Sequence, residues 1–246
     1  MDHHEFSQGY THADHVVRDG DRYALAKYKI TERWLRPHVR PGQTLLNVGC
    51  GSGVFNPIAR KMGLQVIGFD PDPAAVALAS SKADAQTELH TITAQEAALR
   101  GFRGDYLVCQ DVLEHIDDAP GAVAALHRLV NPGGRVVISV PAMQWLYGNH
   151  DRALGHYRRY DRKSLVAVLE PEFEIVRMRY FGALSIPIVV AFSKIFRHRY
   201  PVVAQTDNLL ARAYGALCDL ETTVTFPIGT SLLAELIPRA AAGAAA

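Results

Sequence analysis

Residues 45–53, LLNVGCGSG, constrain the fold more than any other stretch, together with Asp70 at the end of GLQVIGFD. A short apolar run enters a turn with three glycines, a helix-like ARKM segment follows, and a second apolar run ends on an acid. That order describes a strand–loop–helix–strand unit that holds an adenosyl group. Gly49, Gly51 and Gly53 let the backbone turn sharply and approach a ligand where a Cβ would intrude. The N-terminus of the following helix presents free N–H groups that suit a carboxylate. Asp70, at the tip of the second strand, has the lone pairs to accept both hydroxyls of a ribose. A nicotinamide dinucleotide loop would read GxGxxG; here the spacing is GxGxG, and Val54 stands where the third glycine would be.

Around this unit the chain alternates. Apolar runs at 44–48, 65–69, 89–93, 105–109, 135–140, 174–180 and 231–237 read as strands. Periodic stretches at 54–62, 73–83, 119–130 and 163–169 read as helices. Asn131-Pro132-Gly133-Gly134 stops the third of these helices. Strands alternating with helices imply right-handed crossovers, so the expected fold is α/β, a doubly wound, mostly parallel seven-stranded sheet with its ligand at the carboxyl ends of the strands. Tyr23, Leu25, Ala26, Ile30, Trp34 and Leu35 recur at helical spacing, which makes residues 1–43 an N-terminal helical cap. The core then runs over 44–181, a helical insertion over 182–230, the last strand over 231–239 and a disordered tail over 240–246. The insertion is expected to serve as a lid or dimer contact.

Composition narrows the partners. With 246 residues, 48% of them hydrophobic, the chain can bury one sizeable core. A formal charge of +1 offers no broad basic surface to nucleic acid. Cys50, Cys109 and Cys218 form no CxxC pair, which fits a reducing compartment, and the N-terminus lacks the pattern of a signal peptide, so a cytoplasmic protein is expected. The apolar segment 181–196 contains Pro187 and falls short of the roughly 20 residues a spanning helix needs; it reads as a buried lid or dimer helix, or as a membrane-surface contact. His12 and His15 flank Asp14 at a spacing that offers two metal ligands, but no third or fourth ligand is evident, and no metal site is assigned.

Four segments in order, LLNVGCGSG, GFDPD, YLVCQDVLEHIDD and LVNPGGRVVISVP, resemble the motifs of class I S-adenosylmethionine-dependent methyltransferases, in particular the small-molecule group. HDRALGHYRRYDR and FPIGTSLLAEL are similar to a bacterial branch of that group. The resemblance implies a Rossmann-like fold with S-adenosyl-L-methionine as cofactor and a small-molecule methyl acceptor. It places Asn47, Gly49, Gly51 and Gly53 around the methionine part, Asp70 on the ribose, Pro71, Ala94, Gln95 and Glu96 around the adenine, and Gln110 toward the methionine amine. Asn47 stands where the family usually has an acid. Asp111 is the candidate for the missing charge, its other reading being an exposed helix-start acid.

Methyl transfer from a sulfonium needs alignment, exclusion of water and, where the acceptor carries a proton, a base. His150 and His156, in a cluster with Asp151, Tyr147, Tyr157, Arg158, Arg159 and Tyr160, are the leading proton acceptors, and His115 is the next. Tyr23 and Lys27 resemble an aromatic-basic pair that in related enzymes closes over the cofactor carboxylate; a solvated lysine is the other reading. The expected activity is O-, N- or C-methylation of an aromatic or heterocyclic metabolite. The alternatives are a non-catalytic cofactor-binding subunit and a membrane-associated enzyme acting on a lipid or quinone.

Overall fold

The computed structural model describes residues 20–191 and 209–240. The His12/His15 pair, residues 192–196 of the apolar segment and the tail from 241 lie outside them. Seven strands, β1 (Thr44–Val48), β2 (Gln65–Phe69), β3 (Thr87–His90), β4 (Gly104–Gln110), β5 (Val130–Pro141), β6 (Phe173–Phe181) and β7 (Ser231–Pro238), form one sheet in the order β3-β2-β1-β4-β5-β7-β6. The first five pair in parallel, and β7 runs antiparallel between β5 and β6. This is the doubly wound sheet expected from the alternation. Strand order reverses between β1 and β4, so a crevice opens where the chain leaves them.

Both faces of the sheet are covered, and alternate side chains go to opposite sides. Leu46, Val48, Leu107, Cys109, Val136 and Ile138 join one apolar cluster, and Leu45, Val66, Tyr106, Val108 and Val137 join the other. Helix α1 (Arg22–Leu35) lays Ala26, Ile30 and Trp34 on the second face, beside Phe55 and Ala59 at the start and within α2 (Asn56–Lys61). Helices α4 (Ala94–Leu99), α5 (Ala119–Leu129) and α7 (Arg162–Leu169) cover the first with Ala97, Leu126 and Leu165. Acidic N-caps start several of them: Asp21 accepts from Tyr23 N at 2.9 Å, and Asp72 accepts from Ala74 N at 2.9 Å to open α3 (Pro73–Ser80).

Several boundaries differ from the periodicity. The third strand ends at His90 because Thr93 is an N-cap: its hydroxyl accepts from Glu96 N at 3.2 Å while Glu96 returns a bond to Thr93 N at 2.8 Å. The helix this capping box starts, α4, has too few residues for its period to register. Asn131 to Gly134 do end α5, but they already belong to β5, which pairs Val130 with Gly104.

Between β6 and β7 lie α8 (Ile186–Val190) and α9 (Leu209–Glu221). Glu221 ties the two ends of this insertion together, its carboxylate accepting from the backbone N of Gly182, Ala183 and Leu184 at 2.7, 2.9 and 2.8 Å. Among the described residues no helix is long and apolar enough to cross a membrane.

Candidate active site

The glycine loop follows β1 and folds back on the end of β2. Gly49 and Cys50 donate their N–H groups to Phe69 O at 2.8 and 3.0 Å, and Gly51 N donates to Asp70 Oδ2 at 2.8 Å. Asp72 N holds the other Asp70 oxygen at 3.0 Å, so the carboxylate is fixed at the mouth of the loop with Pro71 half-buried beside it. The three glycines have φ of 66°, 52° and 75°, the left-handed region that strains any residue with a Cβ. At Gly49 there is a second reason for glycine: a Cβ would stand 2.2 Å from Val112 Cγ2.

Asn47 is buried and donates from Nδ2 to Asn56 Oδ1 at 2.8 Å, which spends this amide on anchoring the first residue of α2. Asp111, the expected source of the charge that Asn47 lacks, lies just past β4. Asp111 has φ 55° and pairs with the buried Lys27 of α1; its Oδ1 accepts from Ser139 Oγ at 3.2 Å. Gln110 donates from Nε2 to Thr31 Oγ1 at 2.5 Å. The Thr31 hydroxyl gives its own proton to Lys27 O at 3.1 Å, so the amide nitrogen, not the oxygen, must face it. Gln110 Oε1 is therefore a buried acceptor with no partner among the described protein atoms. Burying an unpaired acceptor costs about 1–3 kcal/mol, and an ammonium donor arriving at the end of β4 would remove that cost. In this respect the residues present fit S-adenosylmethionine. On α4, Ala94 is buried and Gln95 half-buried, whereas the Glu96 carboxylate is occupied in its own capping box.

The second group of side chains comes from the 3₁₀ turn Leu113–His115 and from the segment after β5. Helix α6 (Asn149–Ala153) carries His150 and Asp151. Asp151 is fully buried and takes three donors: His156 Nδ1 at 3.0 Å, Arg159 Nε at 2.7 Å and Gly148 N at 2.9 Å. Burial alone would raise its pKa, but the His156 hydrogen bond and the Arg159 charge outweigh burial and hold the carboxyl at about 2. His156 lies edge-on to His115, ring centroids 4.6 Å apart at 88°, and Glu114, His115 and His156 each bring one donor atom within 4.8 Å of the others. His150 is half-buried on α6 and does not join that group.

The expected site residues thus fall into two sets. Strand ends collect Asn47, the glycines, Asp70, Gln110 and Asp111, and the later loops collect His115 and His156. Sequence reading missed Thr31, the pairing of Lys27 and the true partner of Asp151. That acid adjoins His150 in the chain, but its bond goes to His156, five positions on and past the end of α6, where Gly155 (φ 72°) turns the chain back; that glycine was the available signal. A groove of about 560 Å³ lined by His38, Arg40, Tyr106 and Arg135 opens elsewhere and contains none of these residues.

A family model described as a methyltransferase domain matches residues 19–171. The chain belongs to this methyltransferase family. Curated relatives match part of the chain: a ubiquinone biosynthesis O-methyltransferase of Pseudomonas paraeruginosa is 35% identical over 103 residues, covering 40% of this chain and 44% of the relative. A protein of the same name from Azotobacter vinelandii is 34% identical over 112 residues, covering 43% and 48%. The chain therefore spans about half the length of the curated methyltransferases it matches. Among solved structures, a phosphoethanolamine N-methyltransferase 2 of Haemonchus contortus in complex with S-adenosyl-L-methionine superposes with a TM-score of 0.64 at 16% identity, over 96% of this chain and 60% of that one. At that identity the likeness shows the fold alone.

Proposed function

We propose that this methyltransferase moves the methyl group of S-adenosyl-L-methionine to a ring hydroxyl of a small aromatic or heterocyclic metabolite. The observation that carries the reading is Gln110 Oε1, a buried acceptor without a partner, set beside a glycine loop and a fixed acid in a family of methyltransferases. When bound, S-adenosylmethionine supplies an activated methyl on a sulfonium. Asp70 holds the ribose hydroxyls, Gln110 and Asp111 face the ammonium, and Gly49, Gly51 and Gly53 admit the methionine backbone. On the acceptor side His156, with His115 against it, takes the hydroxyl proton. The name of the curated relatives favours oxygen as acceptor atom, and the exposed Trp145 and Tyr157 offer a ring two aromatic faces. The helical insertion covers the acceptor and excludes water.

Titration with S-adenosylhomocysteine tests the cofactor half: binding in the micromolar range or tighter is expected, greatly weakened by Asp70→Ala, and no binding by the natural protein would end the reading. Labelled methyl transfer to 3,4-dihydroxybenzoate, the simplest ring diol acid, within a panel of phenols tests the other half. Turnover of none of them, with the cofactor still bound, would favour a non-catalytic subunit.

A second reading, an acceptor with an apolar tail presented at a membrane, draws on Leu184 and Ile188, exposed at the start of the insertion. Its test is sedimentation with liposomes, and a protein that stays in the supernatant would remove it.

A further inference from the structure

We infer that Asp151, backed by Arg159, is a positioning residue that sets His156 as the proton acceptor, fixing its ring with Nδ1–H toward Asp151 and leaving the Nε2 lone pair for the acceptor hydroxyl. The inference rests on the proposed methyl transfer and adds to it the residues that make its base.

An ionised carboxylate has no proton to give, so the ring nitrogen 3.0 Å from Asp151 Oδ1 is the one that carries hydrogen. The other nitrogen then has only one state in neutral imidazole, an open lone pair. Without such a partner the two tautomers compete, and a fraction of the molecules would present N–H, which cannot accept a proton. The main chain around the ring is held as well: His156 N donates to Asp151 O at 2.9 Å and Tyr147 Oη donates to His156 O at 2.7 Å. Backbone and ring are thus tied to one acid.

Arg159 completes the arrangement. A fully buried carboxylate needs a compensating charge, and the buried guanidinium at 2.7 Å supplies it. Because Arg159 keeps Asp151 ionised, a proton taken by His156 stays on His156. In the transfer the acceptor oxygen gains the methyl carbon and loses its hydrogen to Nε2, the electron pair of the broken carbon–sulfur bond remains on sulfur, and the positive charge moves from sulfonium to imidazolium. The groups set against that ring are Glu114 and His115 from the 3₁₀ turn and Asp151 from α6, with Arg159 on the far side of Asp151 and the Tyr147 hydroxyl on the His156 carbonyl oxygen. The two acids oppose the one guanidinium, which leaves the new charge supported.

Two measurements test this. In the unliganded natural protein with ¹⁵N-labelled histidine, a two-bond ¹H–¹⁵N spectrum above neutral pH should assign His156 to the Nδ1–H tautomer; an Nε2–H tautomer would overturn the proposal without any substitution that might unfold the chain. In assays with 3,4-dihydroxybenzoate, or whichever phenol of the panel turns over, Asp151→Asn and His156→Gln should each lower kcat by about 10²-fold while S-adenosylhomocysteine affinity stays within about twofold. In the His156→Gln background Asp151→Asn should cost less than about twofold more, since a residue acting through His156 has nothing left to position. Costs that multiply would make Asp151 a structural residue only. An unchanged kcat in Asp151→Asn with a depressed one in His156→Gln would overturn the positioning role and leave the base intact; an unchanged kcat in His156→Gln would remove the base, and with it the task assigned to Asp151.

Discussion

The ammonium of Lys27, on the N-terminal helix, pairs with the carboxylate of Asp111 at the tip of β4, 84 positions along the chain. Lys27 is nearly inaccessible, and Asp111 adopts a left-handed backbone that aspartate tolerates better than most residues. The pair joins the N-terminal helix to the carboxyl end of β4. Removing one partner leaves an uncompensated charge. Lys27→Met should destabilise the protein by about 2 kcal/mol, less than the ~3–5 of a fully buried pair because Asp111 keeps some contact with water. Lys27→Met/Asp111→Asn should recover most of that loss in urea unfolding.

Gly49 has two independent reasons to be glycine, and they separate by mutation. Gly49→Ala meets both the left-handed backbone and Val112 Cγ2, for a combined cost of about 3 kcal/mol. Adding Val112→Ala should relieve the overlap but leave the backbone penalty of about 1–2 kcal/mol. Equal unfolding midpoints for the single and double variants would refute this division.

Gln110 differs in that its acceptor oxygen lacks a partner among the described residues. Gln110→Ala removes the bond to Thr31 together with the unpaired acceptor, so it should lower stability by no more than about 1–2 kcal/mol while weakening S-adenosylhomocysteine binding by about tenfold, the worth of one hydrogen bond to a charged group. Calorimetric titration reads the second effect, and an equal affinity would relocate the ammonium.

Asp151 makes a prediction about pH. Its folded-state pKa of about 2 lies below the ordinary ~3.9 of an unfolded aspartate. The stabilisation it contributes, on the order of 2 kcal/mol, is present above the unfolded value and is lost as pH falls through the folded one. The stability gap between the natural protein and Asp151→Asn should hold from pH 7 to about 5 and close between about pH 4 and 2. A gap that stays constant to pH 2 would mean that folding leaves the Asp151 pKa unshifted, and one that moves in Asp151's favour as pH falls would mean that it is not ionised in the fold.

If Nε2 of His156 accepts a proton during turnover, it is not occupied by a cation. Dialysis against a strong chelator should leave kcat unchanged, and Mg²⁺, Mn²⁺ or Zn²⁺ added back should not raise it. Loss with chelator and recovery with one cation would reassign Glu114, His115 and His156 from proton handling to coordination.

Much of this architecture is legible locally. The bounds of β1 and β2 coincide with their apolar runs because each run is closed by turn residues and buried on both faces. The glycine spacing and Asp70 identify the cofactor class because three left-handed positions and a strand-end acid are requirements of a few adjacent residues. Other features resisted reading for physical reasons. Helix α4 is a single capped turn and a half, too short for periodicity, and only its Thr93–Glu96 box marks it. Asp151 stands beside one histidine in sequence and bonds another, because the chain turns back past the end of α6 at Gly155 (φ 72°), where His156 N donates to Asp151 O at 2.9 Å and its ring meets the carboxylate.

What the sequence by itself determined is the sheet, the loop and the methyl donor they suit, since each depends on residues within a strand, a turn or a helix of one another. Tertiary structure alone decided which polar groups are spent and which are left to act. Thr31 turns the Gln110 amide so that its oxygen is left over, Asn56 takes up Asn47, Lys27 supplies the counter-charge of Asp111, and Arg159 keeps Asp151 ionised under His156. The Thr31 and Lys27 partnerships exist because α1 lies across the end of β4; Asn56 reaches Asn47 because the glycine loop turns the start of α2 back on β1; and the last exists because the segment after α6 folds back on that helix.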